Sequence, residues 1–393
     1  MPTLRLSDEV LIARPDKISS RLELREICIQ KATTMSNVEF AVNGRFLTQD
    51  TTGVQRYARN VVLHLDQVLK ARSASATIFA PQTAFDPELE QMPLVKIGRV
   101  AGHAWEQFVL PMRWDGHLLN LCNTAPALKT KQVVCIHDAN VYIKPESYSL
   151  SFKAYYKILQ SLIVRGSAKI TTVSSNSAAQ IAKHLSLDYS RINVLPNGHE
   201  HALEWKPELA LVAPSIIAGR GGEAGRPFVL AIGSQAEHKN MKLVTEIAPK
   251  LCELGIDTII AGGSASIFSN HIPTNTKSVS FIGRIDDNDL AFLMDRALCL
   301  LFPSWTEGFG LPIVEAMARN CPVVSSDRAS MPEICGQAAL MAAPDDPSKW
   351  VEHVSMLAEY PDRRNELILF GQERVKKFSW HRTADAYADL MQN

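Results

Sequence analysis

The sequence carries no excess charge of either sign, since its 393 residues include 41 lysines and arginines and 41 aspartates and glutamates. A chain without net charge creates no overall field that attracts nucleic acid or an anionic membrane, so nucleic acid is not an expected partner. The chain also lacks the run of about 18 apolar residues that a membrane-spanning helix needs. Its best candidate, residues 290–302, contains Asp295 and Arg296. The first residues include Asp8 and Glu9 and no apolar core of a secretion signal, which predicts a cytoplasmic location.

Cysteine is scarce, and no two cysteines form a CxxC pair. We interpret the seven as buried, reduced thiols of a cytosolic protein: Cys28, Cys122, Cys135, Cys252, Cys299, Cys321 and Cys335. No Gly-x-Gly-x-x-Gly fingerprint follows a predicted strand, which disfavours a plain dehydrogenase. No DxD motif ends a predicted strand, since Asp286 and Asp287 lie where a helix begins. We therefore predict that the protein needs neither a metal nor another cofactor.

Strand-like runs alternate with amphipathic stretches of helix length, a pattern typical of an α/β fold with parallel sheets covered by helices. Strands are predicted at residues 38–42, 77–80, 133–136, 170–173, 192–195, 228–232, 258–261, 279–282, 299–302 and 323–325. Helices are predicted at residues 54–69, 152–162 and 380–391.

The stretch 206–227 is rich in glycine and proline, and we interpret it as a linker between two domains. A Rossmann-like, acceptor-side domain is predicted over residues 36–205, and a Rossmann-like, donor-binding domain over 228–375. Residues 1–35 are polar and unpatterned, which indicates a loose N-terminal extension or an upstream start codon. The C-terminal helix, within residues 376–393, is a candidate to pack back onto the N-terminal domain.

Polar and glycine-rich residues follow many of the predicted strands. Ligands of open α/β sheets bind outside the carboxyl ends of the strands. Two such sheets facing each other would gather these loops around one cleft, although glycine and asparagine also terminate strands elsewhere. The loops are His137-Asp138, 174–176, 196–198, Gly233-Ser234, Gly262-Gly263, Gly283-Arg284 and 304–310.

The strongest signal is FPSWTEGFGLPIVEAMARNCP, residues 302–322. After a buried strand, Gly308 and Gly310 let backbone N–H groups approach a ligand closely. Pro312 suits the first position of a helix. The free N–H groups and the dipole of that helix favour an anion such as a diphosphate.

Two glutamates lie eight residues apart in this segment. The spacing lets Glu307 meet a sugar while Glu315 accepts two hydroxyls of a ribose. Alternatively, Glu315 is an acidic residue in the first turn of the helix, where it stabilises the dipole.

The segment resembles the glutamate–seven residues–glutamate motif of retaining glycosyltransferases of family 4 (glycosyl transferases group 1), which have the GT-B fold. Residues 323–339, which begin VVSSD and contain PEICG, resemble the next strand and loop of that family. The resemblance implies two Rossmann-like domains facing a central cleft. It also implies that Glu315 binds the donor ribose and that Glu307 contacts the transferred sugar. The backbone that would hold sugar hydroxyls and phosphate belongs to Gly308, Phe309, Gly310 and Leu311.

A second signal is LAIGSQAEHKN, residues 230–240. A cation at Lys239, in the loop after the first strand of the second domain, would neutralise a leaving nucleoside diphosphate. The family often has an arginine after Gly233 and another before the lysine, whereas this chain has Ser234 and His238. Lys239 is therefore the main candidate cation, with Gly233 and Ser234 as donor-binding neighbours. A solvated loop lysine is the alternative.

Two N-terminal segments add weaker signals. Residues 43–57 place Gly53 between a strand and a helix, and the resemblance implies that this turn closes over the donor. Arg45 and Arg56 in this segment are candidates for a second positive group. His137 follows a predicted strand and is a candidate to hydrogen-bond the sugar or the acceptor, with Asp138 beside it as a helix N-cap or supporting residue.

Arg284 follows Gly283 and is a candidate neighbour of the nucleobase, with a purely structural role as the alternative. The hypothesis for the chain is the transfer of a hexose, with mannose as the first guess, from a GDP- or UDP-linked donor with retention of configuration. The resemblance implies a glycan or lipid-linked acceptor in surface polysaccharide synthesis and leaves peripheral membrane association open. The alternatives are a nucleotide-sugar epimerase and a non-catalytic sugar-nucleotide-binding subunit.

Overall fold

The computed structural model describes residues 40–166, 168–218, 226–234, 236–263 and 278–392. The predicted N-terminal extension and the glycine-rich residues 219–225 of the predicted linker lie outside these ranges. The described strands form two sheets in which neighbouring strands are parallel. The predicted α/β class with two Rossmann-like sheets is confirmed.

The first sheet has the order β3-β2-β1-β4-β5-β6-β7. Its strands are β1 Phe40–Asn43, β2 Ala76–Ala80, β3 Leu94–Lys96, β4 Leu118–Asn120, β5 Gln132–Cys135, β6 Lys169–Thr172 and β7 Ile192–Val194. The second sheet has the order β10-β9-β8-β11-β12-β13. Its strands are β8 Phe228–Ile232, β9 Asp257–Ala261, β10 Val279–Gly283, β11 Cys299–Phe302, β12 Val323–Ser326 and β13 Ala339–Ala342.

Helices of eight residues or more are α1 Gly53–Ala71, α2 Leu150–Arg165, α3 Ser175–Leu185, α4 Met241–Glu253, α5 Asp287–Met294, α6 Leu311–Ala318, α7 Pro347–Glu359, α8 Pro361–Val375 and α9 Trp380–Gln392. Shorter α-helical pieces are Gly102–Ala104, Leu110–Arg113, Asn140–Ile143, Glu200–Leu203, Ala213–Ala218 and Met331–Cys335, and Trp105–Val109 is a π-helical turn. The 3-10 turns are Gly44–Thr48, Pro145–Ser147, Tyr189–Arg191, Pro207–Leu209 and Glu237–Lys239.

The predicted strands all overlap observed ones, but β3, β4 and β13 were missed. These three strands have only three or four residues each. A strand this short shows little periodicity, and β3 and β13 lie at the edges of their sheets.

Helix α1 is buried along one stripe that contains Tyr57, Val61 and Leu65. The C-terminal helix α9 packs along α1. The hydroxyls of Tyr57 and Tyr387 lie 2.9 Å apart, and that of Tyr387 lies 2.8 Å from Thr171 Oγ1. Because α9 follows the helices of the second sheet in the chain and packs on the first, it ties the two halves together.

The chain reverses its direction of strand addition between β1 and β4 in one sheet and between β8 and β11 in the other. Such a switch point leaves a crevice at the carboxyl ends of the strands. The loop with Lys239 follows β8, and the loop with Glu307 follows β11. The sheet topology therefore brings two loops that are far apart in sequence to the same crevice.

Candidate active site

A cavity of about 240 Å³ lies between the two halves of the structure. Both sheets supply loops to its wall, which is formed by Thr52, Gly53, Val54, His137, Asp138, Asn140, Tyr148, Val173, Asn197, His238, Lys239, Glu307, Gly308, Phe309, Gly310, Leu311 and Pro312. Most of the predicted site residues therefore share one cavity.

Lys239 and Glu307 form an ion pair in this cavity. The distance from Lys239 Nζ to Glu307 Oε1 is 2.7 Å, and the Ser304 hydroxyl donates to the same oxygen at 2.7 Å. Asn240 adopts a left-handed backbone with φ of 53° and donates to the carbonyl oxygen of Pro303 at 3.3 Å. This bond holds the loop after β8 against the loop after β11, so the cation and the carboxylate meet.

The glycine-rich loop offers backbone N–H groups to the cavity. Gly310 has a φ of 98°, a left-handed conformation that favours glycine, and α6 starts at Leu311 directly after it. Within the residues that the structure describes, no acceptor binds the N–H groups of Gly308, Phe309 and Gly310. Unpaired N–H groups at the start of a helix are suited to an anionic oxygen.

His137 is almost fully buried beside this loop. Its Nε2 donates to the carbonyl oxygen of Leu121 at 2.8 Å, and the edge of its ring contacts Tyr57 at 4.7 Å between centroids. Burial disfavours the charged ring, but Cys135, the carbonyl oxygen of Leu121 and the Asp138 carboxylate together raise the pKa of His137. With Nε2 bonded to the backbone, the ring is held in one orientation at the cavity wall.

Asp138 faces Glu307 across the cavity. Burial raises the pKa of Asp138, and the negative charge of Glu307 adds to this increase, against the opposing N–H group of Asn140. Burial, together with the Asp138 and Glu307 carboxylates, raises the pKa of Tyr148 to about 12, so its hydroxyl remains protonated. The acceptor-side wall thus combines a carboxyl group and a hydroxyl donor.

Arg45 and Arg56 do not reach the cavity, so neither is the second cation at this position. Arg45 is buried in the first half, where its Nε lies 3.2 Å from Glu106 Oε1. His238, which sequence reasoning treated only as a departure from the family, lines the cavity instead. Burial, helped by the charge of Lys239, outweighs the opposing charge of Glu307 and lowers the pKa of His238, which favours the neutral ring.

Glu315 lies behind the cavity wall. It is the fifth residue of α6, so its predicted placement in the first turn is wrong, because the helix starts only at Leu311. The carboxylate accepts a hydrogen bond from His201 Nε2 at 2.9 Å and lies 3.7 Å from Arg56 Nε. Trp380 Nε1 donates to His201 Nδ1 at 2.9 Å, which sets the tautomer that donates to Glu315.

A second cavity, of about 590 Å³, lies on the Arg56 side of Glu315 and is lined by Thr51, Arg56, Arg284, Ile285, Asp286, Asp287 and Asn288. Arg284 Nη2 donates to the carbonyl oxygen of Thr51 at 3.0 Å. Arg56 donates to both carboxylate oxygens of Asp287, at 2.9 and 2.6 Å. Arg284, the predicted neighbour of the nucleobase, therefore lines the second cavity and not the first.

Gly233 and Ser234 line neither of these cavities. The carbonyl oxygen of Gly233 approaches Gly262 so closely that a Cβ there would lie 2.7 Å from it. From the sequence, Asn197 was predicted only to form a turn, and Asn140 and Tyr148 were not considered, although all three line the first cavity. Asn140 and Asn197 could have been found from their positions, because each follows a strand closely.

Among the described residues, no group of three or more His, Cys, Asp or Glu side chains is arranged to hold a metal ion. None of the described helices has the length and hydropathy to cross a membrane.

Part of the chain matches a protein family, and the chain is similar in sequence to known enzymes. Residues 226–359 match the family model Glycosyl transferases group 1. The chain is 28% identical over 245 residues to the O-antigen chain mannosyltransferase RfbU of Salmonella typhimurium, covering 61% of this chain and 64% of that protein. It is 25% identical over 272 residues to the O-antigen chain mannosyltransferase B of Escherichia coli, covering 65% and 70%. The chain thus spans about two thirds of these relatives.

Two solved structures show the same fold. WaaG, a glycosyltransferase involved in lipopolysaccharide biosynthesis, has a TM-score of 0.66 and 15% identity, covering 90% of this chain and 99% of that one. Anabaena HepE in complex with UDP and glucose has a TM-score of 0.64 and 15% identity, covering 91% and 100%. These likenesses confirm the predicted GT-B fold, and the match over residues 226–359 confirms the resemblance of that region to glycosyl transferases group 1.

Proposed function

We propose, from the premise that this chain is a group 1 glycosyltransferase with the GT-B fold, that it transfers a hexose from a nucleoside diphosphate sugar to a hydroxyl group. The acceptor is a growing glycan or a lipid-linked saccharide of surface polysaccharide synthesis. Mannose is the first sugar to test, because the relatives described above are named mannosyltransferases.

The observation that carries the proposal is the pairing of Lys239 and Glu307 beside free backbone N–H groups. A lysine held by one carboxylate contact of 2.7 Å can exchange that partner for a phosphate oxygen. The N–H groups of Gly308 to Gly310 would receive the other oxygens. Positive and dipolar groups fixed before the reaction stabilise the charge that grows on a leaving diphosphate.

In the proposed reaction, the bond between the anomeric carbon and the diphosphate oxygen breaks, and the acceptor oxygen bonds to the same carbon. The acceptor proton passes to an oxygen of the leaving phosphate, on the face where the bond broke, so configuration is retained. Glu307 is held by Lys239 and Ser304 and orients the sugar. His137 and Asp138 contact the sugar or the acceptor from the opposite half.

Lys239 and the N–H groups replace a metal in this mechanism, which makes the proposed enzyme metal-independent. On the donor side, Glu315 binds the ribose, and the cavity beside Arg284 takes the base. Glu315 lies 3.7 Å from Arg56, which lines the second cavity, and on the same helix as Leu311 and Pro312, which line the first.

A lipid-linked acceptor and peripheral attachment to a membrane are supported by helix α2. This helix carries Lys153, Lys157 and Arg165 and no acidic residue. Its apolar side chains Leu150 and Ile158 are 80% and 63% exposed. Basic and apolar groups together favour an anionic lipid surface.

The test is a panel of GDP- and UDP-linked sugars, with release of nucleoside diphosphate measured with and without a glycan acceptor. We expect release that depends on the acceptor and continues after treatment with a chelator. Lys239→Ala and Glu315→Ala should abolish most of it, and Lys242→Ala, which removes an exposed lysine of α4, should not. Intact activity and donor affinity in the first two variants would contradict the site assignment, and donor turnover without acceptor would favour an epimerase.

A further inference from the structure

We propose that Ser174, Ser177 and Glu333 are positioning residues that complete the N–H cradle of the catalytic loop only when the two halves of the protein are in contact. The inference rests on the proposed function, in which that cradle receives the diphosphate. According to this proposal, residues of the half that contains the first sheet hold the backbone of the loop in the other half.

The carbonyl oxygen of Gly308 is held by two serines from the opposite half. Ser174 Oγ donates to it at 2.6 Å and Ser177 Oγ at 3.0 Å, and both serines are buried. The halves also touch closely here, because a Cβ on Gly308 would lie 2.6 Å from the carbonyl oxygen of His137. Gly308 is thus fixed by partners that its own half does not contain.

The two neighbouring carbonyl groups are held from within the second half. The Ser330 hydroxyl lies 3.0 Å from the carbonyl oxygen of Glu307 and 3.1 Å from that of Phe309. Three consecutive carbonyl oxygens therefore contact serine hydroxyls, with the single Ser330 proton shared between the first and the third. Only the middle one depends on contact between the halves.

Holding these carbonyl groups also orients the N–H groups. In a trans peptide, the C=O of one residue and the N–H of the next point in opposite directions. Fixing the carbonyl oxygens of residues 307, 308 and 309 against serines therefore directs the N–H groups of Gly308, Phe309 and Gly310 the other way. These N–H groups are the ones without an acceptor among the described residues, and their residues line the cavity.

Glu333 holds the serine pair in place from the second half. Its carboxylate accepts from the N–H of Ser175 at 2.9 Å and of Asn176 at 3.1 Å, in the first turn of α3. Ser174 is the N-cap of that helix, with its Oγ accepting from the N–H of Ser177 at 3.0 Å. A carboxylate at a helix N-terminus is stabilised by the dipole, so this contact favours the arrangement in which both serines reach Gly308.

Two variants test the inference with little change to the fold. Ser177→Ala removes one donor to Gly308 and leaves the N-cap, and Glu333→Gln keeps the shape of the side chain but removes its charge. We expect each to lower kcat roughly five- to tenfold, as for the loss of one hydrogen bond, with donor KM within about twofold. The control is Ser190→Ala, which removes an exposed hydroxyl of the turn Tyr189–Arg191 in the same half, lines neither cavity, and should leave kcat unchanged.

Amide hydrogen exchange provides a second readout that needs no turnover. In Glu333→Gln, exchange at Ser175 and Asn176 should be faster than in the wild type, and in the wild type it should slow on addition of nucleoside diphosphate. Three results would overturn the inference: unchanged exchange, unchanged kcat, or a kcat loss that Ser190→Ala shares and that a lower Tm explains. A wild-type protein that turns over no donor would overturn the proposed function instead, while the exchange result would still decide whether Glu333 holds the halves together.

Discussion

The two cavities each hold a cation against a carboxylate, but they hold it differently. In the first, Lys239 makes a single contact with Glu307. In the second, Arg56 donates two hydrogen bonds to Asp287, lies 3.7 Å from Glu315 and has its guanidinium 5.3 Å from the centre of the Trp205 ring. A single lysine contact is readily exchanged for a ligand, whereas a forked arginine over an aromatic ring is a fixed support.

This difference assigns separate tasks to the cavities. The first has a lysine with one exchangeable carboxylate contact and, among the described residues, free N–H groups, which under the proposed function receive the reacting diphosphate. The second has an arginine fixed by two hydrogen bonds and an aromatic ring, which under the same proposal orients the ribose and base. Substitutions on each side should therefore affect different kinetic constants.

The largest effect is expected for Lys239→Ala. Loss of the ammonium leaves the leaving diphosphate without its charged partner, and the Glu307 carboxylate without its counter-ion. We expect kcat to fall by about 10²- to 10³-fold, the size seen when one transition-state stabiliser is removed. Steady-state kinetics of nucleoside diphosphate release measures it, and a loss confined to KM would break the assignment of Lys239 to the reacting group.

Gly308→Ala should come next. The added Cβ would lie 2.6 Å from the carbonyl oxygen of His137, so the loop must move away from the opposite half. We expect a loss of about 1–3 kcal/mol in the free energy of unfolding, the usual cost of overpacking, together with a kcat at least tenfold lower. Gly255→Ala serves as a control, since nothing lies within 4 Å of a Cβ there, although its φ of 80° carries a strain of its own.

A smaller effect, of a different kind, is expected for Arg56→Lys. A lysine keeps the charge but cannot donate the forked pair of hydrogen bonds to Asp287 or stack its plane on Trp205. We expect the donor KM to rise about fivefold with kcat nearly unchanged, because the support of Glu315 weakens while the first cavity is intact. A kcat loss as large as that of Lys239→Ala would show that the two cavities do not have separate tasks.

The smallest effect concerns stability. Burial, with the charge of Glu307, raises the pKa of Asp138, so the folded state binds that proton more tightly than the unfolded state. Ionisation of Asp138 therefore costs stability as the pH rises from its ordinary pKa through the raised pKa of the folded state. Asp138→Asn should raise the Tm at pH 7, because its amide oxygen still accepts from Asn140, and this gain should shrink as the pH approaches 4. A constant difference across that range would show that charge is not the cause.

Much of the local structure was predictable from residue patterns. The apolar stripe of α1 shows a helical period because one face of the helix is buried, and the continuous apolar runs of β8 and β11 mark strands that are buried along their length. The three- and four-residue strands β3, β4 and β13 were missed, although the equally short β7 was predicted. The loop of Gly308 and Gly310 was predicted as the site because glycine, proline and glutamate occur there in a specific order.

What lies across the cleft could not be predicted in this way. Glu315 accepts from His201, which is held by Trp380, and both residues are distant from it in sequence. Arg56, a candidate for a second positive group beside Lys239, lies beside Glu315 instead. The sequence by itself determined most of the elements and singled out the loop of Gly308 and Gly310, since these depend on neighbours along the chain. Only the tertiary structure decided which charges pair. A cation pairs with the carboxylate that lies nearest to it, and these distances are set by how the two sheets and their helices pack.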